Sequence, residues 1–188
     1  LLVRLKATNP EYASLLSGET LTVAAVQARL DKETTLISYF VTEEATFVWV
    51  IDQTKVTPFR LALKRDALAN SIEVAREKII SRSSAEASLG ALYHELIAPL
   101  ESALTRPNLL IAPHGQLHYL PFAALYNEST HQYLLETHPI SYLPTASTLR
   151  YLPAKANPYE GRLLALGNPD GSLAEAAAEA ATIAALFQ

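Results

Sequence analysis

Three short runs of β-branched and aromatic residues constrain this chain more than any other feature. They are TTLISYFVT (34–42), TFVWVIDQ (46–53) and VTPFRLAL (56–63), separated by turns of only a few polar residues. Such runs favour a pleated, half-buried backbone, and connections this short force neighbouring strands to run antiparallel. The reading is a three-strand antiparallel meander, with Pro58 pushing the third run toward a sheet edge because it cannot donate to a ladder. Helical period flanks the meander on both sides. Upstream, TNPEYASLLSG (8–18) has Asn9 as a candidate N-cap, Pro10 at the first helical position and Gly18 as a stop. In TVAAVQARL (22–30), Val23, Val26 and Leu30 recur at helical spacing.

Downstream, Asp66 stands as the cap of a helix whose Leu68, Ile72, Ala75 and Ile79 form one apolar stripe. Ser83 and Glu86 have capping-box spacing before Leu89, Leu92, Tyr93 and Leu96, a helix interrupted at Pro99. Two long helices therefore cover one face of the sheet. The character shifts at 108, where NLLIAPHG reads as a short buried strand and QLHYLPFAALY as a turn followed by a strand. YLLETHPISYLP (133–144) reads as a strand pair or one long strand, and TASTLRYLP (145–153) as one or two helical turns. AKANPYEG (154–161) is the candidate linker, followed by a strand at 162–167, the turn GNPDG, and a helix that Ser172 and Glu175 would cap. The fold class expected is α/β, a three-layer-like mixed sheet with an antiparallel meander and packed helices.

Composition narrows the function. Fifteen basic residues against 19 acidic ones give a net charge of −4 without a basic cluster, which disfavours nucleic acid as partner. No apolar run approaches the roughly 18 residues of a membrane span, so no membrane partner is expected. The absence of cysteine removes disulfides and thiolate metal sites and points to an intracellular, cytoplasmic setting. Leu1 in place of an initiator, and no Met anywhere, lead to the expectation of a piece of a longer polypeptide.

Candidate chemistry is sparse. His114 and His118 invite a metal reading, but no third ligand is near in sequence, and a structural or surface role is the expectation for both. No G-x-S-x-G turn supports a serine nucleophile. GNPDG at 167–171 lacks both the dinucleotide-loop spacing and the Lys-Ser/Thr ending of a phosphate loop, so Gly167, Pro169 and Gly171 are read as shaping a tight turn. Tyr39, Phe40, Phe47 and Trp49 admit a recognition surface, with core packing under the helices as the favoured reading. No catalytic, metal or cofactor residue is assigned.

Three strings together resemble one family. LLIAPHGQLHYLPFAALY (109–126), ISYLPTASTLRYL (140–152) and LLALGNPDGSLAEAAAEAATIAALF (163–187) are similar to consecutive motifs of the CHAT domain, a caspase-like, separase-related domain often attached to tetratricopeptide repeats. The stretch 9–52 is similar to the segment that joins such repeats to that domain. The resemblance implies a cysteine peptidase with a His–Cys dyad lying beyond the motifs present here. It implies residues 1–33 as a helical linker from a repeat array, 34–153 as a non-catalytic caspase-like pseudo-protease lobe, and 162–188 as the first strand and helix of a protease half. Asn168 and Asp170 would line the rim of the active site, while Pro113, Gly115, Pro121, Phe122, Gly167 and Pro169 would be structural. The expected partners are proteins: the protease half, the upstream repeats, or a second copy. The competing expectation is a stand-alone interaction module that uses an exposed strand edge.

Overall fold

The computed structural model describes residues 20–152, 167 and 174–186. The predicted helix at 8–18, the linker at 154–161, the strand at 162–166 and Ser172 lie outside the described residues. The chain divides into two compact units, Leu1–Leu152 and Pro153–Gln188. In the second, the helix α5 (Ala174–Ala185) is described.

The first unit is built on a five-stranded mixed sheet in the order β3-β2-β1-β4-β7. The predicted meander forms β1 (Thr34–Val41), β2 (Thr46–Ile51) and β3 (Val56–Leu61). Its antiparallel register sets Tyr39 opposite Val48, and Trp49 opposite Pro58 on the edge strand. On the other side of β1 the direction changes. β4 (Asn108–Ala112) lies parallel to β1, and β7 (Ile140–Tyr142) parallel to β4. β4 has polar flanks and a wholly apolar centre because both its faces are covered, as its pattern of four consecutive buried residues shows.

Side-chain alternation divides the sheet into two unequal faces. On the first, Ile37, Tyr39, Val41, Val48, Val50, Leu109 and Ile111 pack beneath α2 (Arg65–Ile80) and α3 (Glu86–Leu96), which contribute Leu68, Ile72, Leu89, Leu92 and Leu96. The predicted covering by two long helices is what forms. The second face has a smaller core in which Leu36, Ile51, Leu110 and Ala112 meet Val26 and Leu30, following the short helix α1 (Val23–Gln27) into its turn, and Leu149 of the 3-10 turns at Ala146–Tyr151. Thr22 caps α1 by accepting from the Ala25 N–H.

Several sequence expectations give way here. Asp66 lies inside the first turn of α2, whose N-cap position is Lys64 in an extended conformation without a side-chain capping bond. Ile79 is 41% exposed, because the apolar stripe leaves the core after Ala75. α3 begins at Glu86 after Ala85, while the Ser83 hydroxyl lies against Ser81. The interruption near Pro99 holds, with α3 ending at Leu96 and passing into 3-10 turns at Ala98–Ala103. The segment after His114 is not a strand. It winds as 3-10 turns over Gly115–Tyr119 and Phe122–Ala124. The reason is burial at steps of three, two and three residues, which strict alternation cannot give: Leu117, Leu120, Phe122 and Leu125 all turn inward. Residues 133–144 likewise break up. Tyr126–Asn127 (β5) pairs with Gln132–Tyr133 (β6) in a hairpin, Leu134–Thr137 forms one helical turn (α4), and only then does β7 begin. No helix among the described residues is long and apolar enough to cross a membrane.

Candidate functional site

The residues singled out in PHGQLHYLPF fall at the carboxyl end of β4, where they hold the sheet together. Pairing of β1 with β4 stops at Ser38 and Ala112, leaving the end of β1 without a strand on that side, while β2 still pairs on the other. His114 takes over: its Nδ1 accepts the Val41 backbone N–H at 3.1 Å, and its ring lies 4.7 Å from that of Phe40. An accepting Nδ1 requires a neutral imidazole whose proton sits on Nε2. Pro113 is buried. Gly115 adopts φ of 59°, the left-handed conformation that a side chain would strain, and so lets the chain turn away from the strand.

Pro121 then directs Phe122 into the core, where the ring is fully buried between Tyr39, 5.5 Å away, and Tyr142, 6.3 Å away. The Tyr39 hydroxyl donates to the Leu96 carbonyl at 3.0 Å, and burial pushes its pKa far above the usual phenol range. His118 stands exposed in the last turn of its 3-10 segment. Among the described residues no group of three or more His, Cys, Asp or Glu side chains is placed to hold a metal ion.

A second polar cluster lines a cleft of about 270 Å³ between α3 and the β5–β6 hairpin. Tyr93 Oη donates to Glu101 Oε1 at 2.7 Å and accepts from Asn127 Nδ2 at 3.0 Å. Burial, then the bond to the Glu101 carboxylate, raise the Tyr93 phenol to about 12. It therefore stays protonated at neutral pH. His138, on the same wall, is held below its ordinary pKa by burial. With the phenol's donor and acceptor both engaged, the Tyr93 bonds tie hairpin to helix.

In the second unit, a Cβ on Gly167 would overlap the Ala176 carbonyl oxygen and crowd Ala180, so only glycine admits the approach of the backbone at 167 to α5. Asn168, Pro169 and Asp170, and with them the proposed rim, lie outside the described residues.

The aromatic strand residues correct the sequence reading most sharply. Tyr39 is buried, but Phe40 and Trp49 are 48% and 37% exposed, and Phe47 is half-buried. Alternation places Phe40, Phe47 and Trp49 on the second face, beyond the reach of the small core around Leu36. Period alone told which residues share a face. It did not tell how much of that face would be covered.

The first unit is thus a mixed α/β lobe with an exposed aromatic patch on one sheet face. The family model of the CHAT domain matches residues 86–188, more than half of the chain, and the chain belongs to that family. The family is related to caspase-like peptidases. Comparison with curated proteins returned no match.

Proposed function

We propose that this chain is the non-catalytic amino-terminal part of a CHAT-type caspase-like cysteine peptidase, a structural and regulatory platform for the protease half and a connection to an upstream tetratricopeptide array. One observation carries the reading. The first sheet face is sealed by two helices, whereas the second leaves Phe40 and Trp49 open beside a finished core. Large aromatic rings left contiguous on a surface favour a protein neighbour, because covering them removes apolar area from water. In the complete protein the attacking thiolate and its histidine base come from the protease half, and this chain orients that half without touching substrate.

The test replaces Phe40 with photoreactive benzoylphenylalanine in the longer polypeptide and maps the crosslinks. Attachment to the protease half of the same molecule is expected. Attachment solely to other copies would overturn the platform reading.

A second reading is favoured by β7. It pairs with β4 on one side and, among the described residues, with no strand on the other. The outward-facing N–H groups of β7 are those of Ile140 and Tyr142, and a stand-alone module that adds a partner strand there would form complexes that Ile140→Pro abolishes.

A further inference from the structure

The carboxyl ends of β1 and β4 lie side by side because the two strands are parallel, and ligand sites of α/β sheets gather at such ends. There the structure has a pocket of about 220 Å³, lined by Val41, Arg65, Leu68, His114, Gly115 and Gln116. Val41 and Leu68 are buried and give it apolar walls. Its polar side chains are Arg65 and His114, which supply donors, and Gln116, whose amide can donate or accept. His114 spends Nδ1 on the Val41 N–H, which leaves Nε2–H as a donor with no acceptor among the described residues. The Arg65 guanidinium adds the only positive charge among the lining side chains. Nothing lies within 4 Å of where a Gly115 side chain would stand, so the space above the turn is open.

Charge complementarity selects the occupant. One guanidinium and one neutral N–H donor match a single carboxylate, while the buried Val41 and Leu68 match a short aliphatic group. A phosphate dianion would leave oxygens unpaired against the same apolar walls. Arg65 already meets a carboxylate: Glu43 Oε1 lies 3.7 Å from Nη1, in a pair whose side chains are 51% and 82% exposed. A contact this long and wet is readily exchanged. We propose that this pocket binds an aliphatic carboxylate, either a free small acid or the carboxyl terminus of a polypeptide, with Arg65 taking the charge and His114 Nε2–H donating the second bond. The proposal goes beyond the platform reading and stands apart from it, since crosslinking at Phe40 and carboxylate binding can each fail alone.

The experiment titrates the full 188-residue chain, ¹⁵N-labelled, with isovalerate, isovaleramide, acetyl-Ala-Ala-Leu and the amide of that peptide. Saturable shifts at the Val41, Gly115 and Gln116 amides are expected with a carboxylate, and binding at least about tenfold weaker with its amide. Isovalerate binding alone identifies a free acid as the source, and peptide binding identifies a chain terminus. Arg65→Gln should lose at least about tenfold in affinity. Glu43→Gln should gain several-fold by releasing Arg65. Both side chains are exposed, and unchanged circular dichroism verifies the fold of the variants. The proposal is overturned if no carboxylate gives saturable shifts, if the amides bind as tightly, if Arg65→Gln has no effect, or if Glu43→Gln weakens binding.

Discussion

Phe122 shows how much one residue can be read from sequence and where the reading stops. The Leu-Pro-Phe string marks it as an anchor, and the structure buries it completely between two tyrosine rings. Phe122→Ala should destabilise the protein by about 3–5 kcal/mol, the cost of a buried ring and the cavity it leaves. Chemical denaturation measures it, and a loss below about 1 kcal/mol would contradict the burial. His114 was legible as a structural histidine but its partner was not, because the Val41 N–H lies 73 residues earlier in the chain. No local pattern encodes a contact of that separation. Trp49 was misplaced for a related reason: its neighbours in sequence fix its face, and distant elements decide whether that face is dry.

At the scale of elements, the strands of the meander were legible because their period and turns are local, whereas the helix starts were not. Capping signals at Asp66 and Ser83 did not set the starts: the chain leaving β3 enters its first helical turn at Arg65, and the chain turning out of α2 enters the next at Glu86. The short apolar run after His114 was ambiguous by length, and inward packing of Leu117 and Phe122 resolved it as 3-10 turns. The β2–β3 hairpin shows a turn held by one carboxylate. Asp52 Oδ1 accepts from the Thr54 N–H at 2.7 Å, the Thr54 hydroxyl at 2.8 Å and the Lys55 N–H at 2.8 Å. The Thr54 backbone bond, with help from the Thr54 hydroxyl, Lys55 and Arg106, holds the Asp52 pKa below the usual aspartate range despite an opposing effect of burial. A lowered folded-state pKa contributes stability that is fully present above the unfolded value, ~3.9, and is lost as pH falls through the lowered one. The stability gap between the protein and Asp52→Asn should therefore be constant above about pH 4 and close below it in acid titrations of unfolding. A gap that widened in acid would reverse the sign.

At the scale of the whole molecule, the α/β class and the mixed sheet were legible, and so was the family, from motifs lying in order along the chain. The open half of the second face was not, since coverage is a property of the assembled lobe. Trp49 is the sole tryptophan and reports on that face directly. In this chain its fluorescence should be quenched readily by acrylamide. In a polypeptide that also carries the proposed protease half, quenching should fall. Equal quenching in both would remove the face from the platform role.

The two margins of the sheet are unlike. Pro58 sits opposite Trp49 in β3 and has no N–H, so its side of the strand lacks a donor midway, and the exposed Arg60 follows two residues on. That margin resists strand addition. If backbone pairing joins two of these lobes through the five-stranded sheet, the short β7 margin is the one left for it among the described residues, and a two-fold union of that kind consumes both. Such self-recognition ends at a pair and cannot propagate into a fibre.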